Sequence, residues 1–198
     1  MVDILVLVGK TASGKDTIAR ELVNMGYKKI ISHTTRPMRN GEVEGVTYKY
    51  LWEKEFFTLN EKGYFAETTS YNVANGETWH YGISMQDLAN ATENSVVILN
   101  PEGLRKVKKI MGTDVVTFYI EVDDEIIKER LKNRGDNPKE AKRRLKADEK
   151  DFVGIEDEVN YTISNNHLAT FEGTVHQIDY IYRKHMQYKR QFPNNRKE

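Results

Sequence analysis

The sequence contains no cysteine among its 198 residues. This absence excludes a disulfide framework, a metal site built from thiolates and a cysteine nucleophile. The fold must therefore be held together by packing. Because disulfides belong to oxidising compartments, we expect a reducing, cytoplasmic environment.

Net charge is also lacking, because 30 basic residues balance 30 acidic ones. No overall field draws the protein toward nucleic acid or an anionic membrane, so any anion binding must be local. We predict no nucleic acid and no membrane as partners, and a monomer or a homodimer. Long apolar runs are missing too: the first run, at residues 4–8, is too short for a membrane span.

Short apolar runs alternate with helical patterns along the chain, which is typical of a single α/β domain with a parallel sheet. Such strand-helix-strand repeats imply right-handed crossovers and helices on both faces of the sheet. The predicted strands are residues 4–8, 96–99, 115–120 and 161–163. The predicted helices follow the first strand as far as Gly26, span residues 102–111 and begin after residue 170.

Between Ser32 and Tyr81 the pattern changes, which predicts a small inserted α+β lobe. Short β segments at residues 46–50 and 64–71 flank an amphipathic helix at residues 52–62. Asn75-Gly76 predicts a hairpin, because both residues tolerate positive φ.

A charged helical segment starts at residue 124. Gly135 and Pro138 interrupt it, since both residues break helices. This pattern predicts two helices joined as a mobile cover.

The segment between the first strand and the first helix has the sequence GKTASGKDT at residues 9–17. GxxxxGK is the pattern of a phosphate-binding loop, in which backbone N–H groups, a lysine and a helix N-terminus converge on phosphate. The position after a buried strand and before a helix argues against an ordinary glycine-rich turn. The predicted ATP-phosphate ligands are Gly9, Ala12, Ser13, Gly14, Lys15, Asp16 and Thr17.

Asp16 occupies the position where such loops usually carry a serine or threonine that binds Mg²⁺. A carboxylate also binds Mg²⁺, directly or through water, although it adds negative charge beside the phosphates. Alternatively, Asp16 is only a favourable residue for the first turn of a helix. We predict Mg²⁺ as the cofactor that accompanies ATP, with Asp16 as its candidate ligand.

A basic segment, SHTTRPMRNGEVEGVTY at residues 32–48, predicts a second phosphate site. Arg36 and Arg39, with a nearby serine and tyrosine, supply the forked and hydroxyl donors that grip a phosphate monoester. An exposed basic turn is the ordinary alternative.

With these two motifs the sequence resembles the guanylate kinase family, whose pattern here is close to S-H-T-T-R-x-x-R-x-G-E-x-x-G-x-x-Y. The likeness covers nearly the whole chain and continues through residues 65–67, 81–82, 99–103, 130–135 and 143–145. It implies a P-loop kinase core with a parallel sheet and helices on both faces. The implied parts are a core at residues 1–31, 84–123 and 156–198, a nucleoside-monophosphate-binding lobe at 32–83 and a helical lid at 124–155.

The resemblance implies that the γ-phosphoryl group of ATP is transferred to GMP or dGMP, giving (d)GDP and ADP. The acceptor phosphate would contact Ser32, Arg36, Arg39, Tyr48 and Tyr81. Lys15 and the lid arginines Arg130, Arg134 and Arg144 would neutralise the transferring group, because phosphoryl transfer needs mainly positioning and electrostatic stabilisation. The ordinary alternative for these arginines is pairing on the helix surface with Glu129, Glu140 and Asp148.

The base pocket departs from the family pattern at two of three positions. Glu67 matches the glutamate that accepts from the ring N–H and the amino group of guanine. Asn100 replaces an aspartate, and Ile83 replaces a hydroxyl residue that donates to the base carbonyl. Since an unpaired carbonyl costs about 1–3 kcal/mol, a pyrimidine with a ring N–H remains an alternative acceptor.

The interval from Glu67 to Tyr81 is longer than the family's usual spacing. Asn72, Asn75 or Trp79 can therefore supply replacement contacts, unless the extension is incidental. Two further hypotheses stay open: a non-catalytic protein-binding module with this fold, and a kinase for a non-nucleotide phosphate acceptor.

Overall fold

The computed structural model describes residues 3–166 and 171–192. One sheet contains β1 (Ile4–Val8), β2 (Lys28–Lys29), β7 (Ser95–Leu99), β8 (Val115–Glu121) and β9 (Tyr161–Ser164). The strand order is β2-β7-β1-β8-β9, and every neighbouring pair is parallel. The predicted α/β class with a parallel sheet is confirmed.

The central strand β1 is buried on both faces. Ile4, Val6 and Val8 lie in one apolar cluster with α4 (Pro101–Met111), and Leu5 and Leu7 lie in another with α1 (Lys15–Asn24) and α7 (Phe171–Gln191). Because successive side chains of a strand point to opposite faces, helices cover both sides of the sheet. This packing fixes the end of β1 from which the phosphate loop begins.

A second sheet lies between β2 and β7 in the chain. It contains β3 (His33–Thr34), β4 (Lys49–Tyr50), β5 (Phe65–Asn72) and β6 (Thr78–Ser84), in the order β4-β3-β6-β5. The helix α2 (Glu53–Glu61) packs on it through Phe56, whose ring stacks on Phe65 with centroids 4.5 Å apart. A short helix α3 (Met85–Ala89) follows β6.

The charged segment forms two helices, α5 (Asp124–Asn133) and α6 (Pro138–Asp151), as predicted. Gly135 has a φ of 72°, and the Asn137 side chain caps α6 by accepting from the Lys139 N–H at 2.9 Å. A 3₁₀ turn (Ile155–Glu158) leads on to β9. None of the helices in the described ranges is long and apolar enough to cross a membrane.

The hairpin between β5 and β6 is present, but its turn differs from the prediction. Gly76 has a φ of 89°, whereas Asn75 does not have positive φ. The Gly76 N–H donates to the Val73 carbonyl at 3.0 Å, so residues 73–76 form a type I turn followed by a left-handed glycine. Asn75 contributes through its side chain instead, which accepts from the Glu77 N–H at 3.1 Å.

The strand predicted at residues 46–50 is reduced to β4. Thr47 and Val43 exchange two hydrogen bonds, of 2.9 and 3.0 Å, which curl this stretch into a loop. The sequence did not predict β2, β3 or α3, because two to five residues are too few to show a periodicity.

Truncating the core of β1 should destabilise the protein strongly. Leu5 is 0% exposed, so we expect Leu5→Ala to lower the free energy of unfolding by about 2–5 kcal/mol. Val153→Ala is the control, because Val153 is 74% exposed and should change stability by less than about 0.5 kcal/mol. Urea denaturation measures both, and equal effects would contradict the assignment of β1 to the core.

Candidate active site

The loop at residues 9–14 follows a path that requires glycine. Gly14 has a φ of 94°, a conformation that other residues rarely adopt. A Cβ on Gly9 would lie 2.7 Å from Ser13 Oγ and 2.8 Å from the Ile120 carbonyl oxygen. The loop is thus packed tightly against the end of β8.

Lys15, the first residue of α1, folds its side chain back over this loop. Its Nζ donates to the carbonyls of Gly9 and Lys10 at 2.6 and 2.7 Å, and to Ser13 Oγ at 3.1 Å. Burial lowers the pKa of Lys15, against the attraction of Asp16 and Asp148, and the Arg134 cation lowers it further. One lid arginine is therefore close enough to act on the loop lysine.

Asp16 faces the cleft between α1 and the second sheet. Together with Lys29, Ser32 and Tyr48 it lines a narrow cavity there. Burial lowers the pKa of Lys29, and the Asp16 carboxylate opposes this shift. The predicted acceptor residue Ser32 thus lies beside the loop region.

Arg36 is buried and forms an ion pair, so it is not open to a ligand on all sides. Its Nη2 donates to Glu42 Oε1 at 2.7 Å and its Nη1 to the Pro37 carbonyl at 2.7 Å. Its guanidinium carbon lies 5.3 Å from the centre of the Tyr48 ring, and that ring is 6.0 Å from Tyr81. These predicted acceptor residues are brought together around the Arg36–Glu42 pair.

Arg39 lies beside this group, and its side chain forms no ion pair within the described residues. Partial burial lowers the pKa of Arg39, and the cations of Arg144, Arg36 and Arg134 lower it further. The Arg39 side chain therefore lies among other cations and has no carboxylate partner in the described residues, which suits it to bind an anion.

The lid arginines are held by carboxylates of the lid itself. Arg134 Nε donates to Asp136 Oδ1 at 3.1 Å, and Arg144 Nε donates to Glu140 Oε1 at 2.9 Å. Arg130 lies elsewhere: its guanidinium donates to the carbonyls of Asn165 at 2.7 Å and Ala12 at 3.3 Å. Arg134 and Arg144 are thus held within the charged helical segment, whereas Arg130 contacts the Ala12 carbonyl of the phosphate loop.

Glu67 is buried at 6% exposure, and its Oε2 has no hydrogen-bond partner among the described residues. Burial raises the pKa of Glu67 to about 7. Asn100 lies next to it, with its Oδ1 accepting from the Gly103 N–H at 2.7 Å and its amide donating to the Tyr71 hydroxyl. Ile83 is opposite Glu67 in the strand register and fully buried.

Comparison with known proteins identifies the family of the chain and agrees with its fold. The guanylate kinase family model matches residues 1–184. The chain belongs to the guanylate kinase family. It is 30% identical to the guanylate kinase of Rickettsia prowazekii strain Madrid E over 83% of this chain and 88% of that one. It is 29% identical to the guanylate kinase of Prochlorococcus marinus strain MIT 9312, over 89% and 90%.

A solved structure agrees with this membership of the guanylate kinase family. The crystal structure of guanylate kinase from Anaplasma phagocytophilum superimposes with a TM-score of 0.72 at 26% identity. The match covers 93% of this chain and 86% of that one.

The side chains proposed as substitutes in the base pocket of this guanylate kinase family member are engaged elsewhere. Asn72 accepts from the Thr78 hydroxyl at 2.9 Å, and Trp79 donates to Glu77 at 3.3 Å, both within the hairpin. Ser84, one residue after Ile83, caps α3 by accepting from the Asp87 N–H at 3.0 Å. The pocket instead gains a hydroxyl from Tyr71.

Several site residues were missed from the sequence. Asp148 on α6 accepts from the Thr11 N–H of the phosphate loop at 2.7 Å, although no motif pointed to it. Lys29 and Tyr71 do not belong to any motif described above either. Glu42 is part of the family pattern, and that match was the signal that could have found the buried pair with Arg36.

Asp16 is suited to hold a metal ion. Its carboxylate is exposed and has no hydrogen bond or ion pair with any residue that the structure describes. No group of three or more acidic, histidine or cysteine residues in the described ranges is placed to bind a metal alone. One carboxylate plus substrate phosphates is the ligand set that Mg²⁺ commonly uses, so these residues fit an ion that arrives with a nucleotide.

Removing the charge of Glu42 should lower the stability of the protein. Arg36 and Glu42 have side-chain exposures of 3% and 16%, so we expect Glu42→Gln to cost on the order of 3 kcal/mol by leaving Arg36 unpaired. Glu55→Gln, exposed on α2, is the control. Chemical denaturation at neutral pH measures the difference.

The same substitution should show a defined pH dependence. Burial alone raises the pKa of Glu42, but hydrogen bonds from Arg36, Tyr50 and the Arg39 N–H lower it to about 2 from an ordinary 4.5. A lowered folded-state pKa gives stability that is present above pH 4.5 and lost as the pH falls toward 2. The stability gap between wild type and Glu42→Gln should therefore shrink on acidification, and a constant gap would contradict the ion pair.

Proposed function

We propose that this protein is a kinase that transfers the γ-phosphoryl group of ATP to GMP or dGMP, giving GDP or dGDP and ADP. Membership of the guanylate kinase family supports this function. The observation that carries it is the geometry of the phosphate loop, in which Gly14 has a φ of 94° and Lys15, at the start of α1, folds its Nζ back onto the carbonyls of Gly9 and Lys10.

The reaction follows from the charges in the cleft. Backbone N–H groups of residues 9–17 and Lys15 hold the ATP phosphates, while Arg39, Tyr48, Tyr81 and Ser32 bind the acceptor phosphate beside Arg36. Arg134 and Arg144 neutralise the charge that spreads over the transferring group. Closure of α5 and α6 over the phosphates keeps out water, which would otherwise hydrolyse ATP.

A divalent metal ion accompanies ATP in this chemistry, and we propose Mg²⁺ held by Asp16. When bound there, Mg²⁺ would supply positive charge that offsets the charge of the phosphates. We further propose a cytoplasmic protein in which residues 32–83 bind the nucleoside monophosphate and residues 124–155 form the lid.

Glu67 supports an acceptor base with a ring N–H. When ionised, its buried carboxylate can accept such a donor, and the unpartnered Oε2 lies against Gly103, close to Asn100. The fully buried Ile83 offers no donor to a base carbonyl, so Glu67 alone does not separate guanine from the second candidate, a pyrimidine nucleotide with a ring N–H.

Turnover with a panel of nucleoside monophosphates tests the function directly. With ATP and Mg²⁺, we expect GMP and dGMP to react fastest among GMP, dGMP, dTMP, dUMP, AMP and CMP, measured by coupled ADP release. Lys15→Ala should lower kcat at least about 100-fold without changing thermal unfolding, while the exposed control Lys54→Ala should match wild type. Faster turnover of dTMP or dUMP would favour the second candidate, and no turnover with any acceptor would refute the kinase.

Ionisation of Glu67 should appear in the pH profile. Its pKa is raised to about 7, so the carboxylate that accepts the base N–H is lost as the pH falls below 7. We expect kcat/KM for GMP in wild type, divided by that of Glu67→Gln, to rise with pH through about 7 and then level off. Ionisation of the substrate phosphate changes kcat/KM of both enzymes alike, so its effect cancels in this ratio. Glu61→Gln, exposed on α2, is the control, and a pH-independent ratio would exclude Glu67 as the base ligand.

A further inference from the structure

The tip of the β5–β6 hairpin contacts the beginning of the lid helix α6, 66 residues further along the chain. The Ala74 backbone N–H donates to Glu140 Oε2 at 3.0 Å. Val73, beside it, is only 7% exposed, whereas a hairpin tip that projected into solvent would expose this apolar side chain. The extended hairpin therefore reaches from the inserted sheet to the lid.

The Glu140 carboxylate accepts hydrogen bonds from three residues. Besides the Ala74 N–H, it accepts from Arg143 Nε and Nη2 at 3.0 and 2.8 Å and from Arg144 Nε at 2.9 Å. Its side chain is 13% exposed. Burial alone raises the pKa of Glu140, but the hydrogen bonds from Arg143, Ala74 and Arg144 lower it to about 2, so the carboxylate is charged throughout the physiological range.

The hydrogen bond between Arg144 and Glu140 determines how the Arg144 guanidinium is placed. Glu140 holds the guanidinium by Nε, and neither Nη atom donates a hydrogen bond to any of the described residues. The Arg144 Nη1 lies 3.9 Å from Asp136 Oδ2, so the guanidinium is held between Glu140 and the carboxylate that also pairs with Arg134. Glu140 therefore fixes the place of Arg144 beside Arg134.

We propose that Glu140 is a positioning residue that couples the inserted lobe to the lid, because the hairpin contact through Ala74 fixes the carboxylate that holds Arg144. This inference rests on the proposed kinase function. A glutamate bound only to arginines of its own helix can follow them through several rotamers, whereas a backbone donor from another lobe selects one. Arg144 then reaches its place only when lobe and lid are together, which favours transfer to the acceptor over attack by water.

One substitution removes the lobe contact selectively. Ala74 is the second residue of the type I turn, a position that favours proline, so Ala74→Pro deletes the N–H donor while suiting the turn. Ala74→Ser keeps the donor and is the matched control. For the other partner, Glu140→Gln removes the charge that holds both arginines. Glu149→Gln, exposed on the same helix, is its control.

We expect Glu140→Gln to lower kcat with GMP about 10- to 100-fold, the effect of misplacing a positioning group by about 1 Å. KM for ATP should remain near wild type, and kcat is compared below the thermal midpoint of each variant, because loss of the ion pairs with Arg143 and Arg144 also lowers stability. Ala74→Pro should also lower kcat and should raise the ratio of ATP hydrolysis to phosphoryl transfer. In the Glu140→Gln background it should have little further effect, because both changes act on Arg144 through the side chain at position 140.

Three results would overturn the coupling. These are a wild-type kcat and hydrolysis ratio in Ala74→Pro, an effect of Ala74→Pro that adds in full to that of Glu140→Gln, and a normal kcat in Glu140→Gln. The hydrolysis ratio of Glu140→Gln gives a second measurement if proline disturbs the turn, and an unchanged ratio there would also contradict the proposal. A wild-type protein that phosphorylates no nucleoside monophosphate would overturn the proposed function itself.

Discussion

Mutual repulsion between cations is the constraint on which this site depends. Phosphoryl transfer requires several positive charges around one small volume, yet in a protein without bound phosphate those charges oppose one another. Neighbouring carboxylates offset this repulsion: Glu42 pairs with Arg36, Asp136 with Arg134 and Glu140 with Arg144. Lys15 is held by loop carbonyls instead. The acidic residues of the cleft are therefore as much a part of the site as the basic ones.

The fold brings these charges to one edge of the parallel sheet. The carboxyl ends of β1 and β7 carry the phosphate loop and Asn100, as expected for ligand sites in open α/β sheets. The second sheet and its loops carry the residues proposed to bind the acceptor, and the helices α5 and α6 carry the arginines proposed to neutralise the transferring group. Asp148 adds a direct link, since its carboxylate binds the Thr11 N–H of the loop. A phosphate that needs the same N–H must displace this carboxylate, so lid position and donor binding are coupled electrostatically.

Features with a local cause were predictable from the sequence. The path of residues 9–15 follows from two glycines and a lysine between a strand and a helix, and the break at Gly135 follows from backbone chemistry. Contacts between distant segments were not predictable. Nothing in the helical pattern of α6 indicates that Glu140 meets Ala74 or that Asp148 meets Thr11, because both carboxylates fit equally well on a solvated helix face. The contacts of Arg130 were not predictable for the same reason. Its position in the sequence matches the lid arginines of the family, but its guanidinium donates to the Ala12 carbonyl of the phosphate loop and to the Asn165 carbonyl.

The base pocket shows how a lost donor changes selectivity. Ile83 packs in the core cluster beneath the pocket, and the neighbouring hydroxyl of Ser84 is engaged in a helix cap, so neither donates to a base carbonyl. The Asn100 oxygen is engaged with Gly103, which turns its amide toward Tyr71. Glu67 remains as the buried acceptor, and leaving it unpaired costs about 1–3 kcal/mol or more for a charged group. If Glu67 binds the base as proposed, adenine and cytosine, which lack a ring N–H, are expected to be rejected more strongly than guanine is separated from thymine. Discrimination within the N–H bases is then expected to come from other groups, of which the Tyr71 hydroxyl beside Asn100 is the candidate.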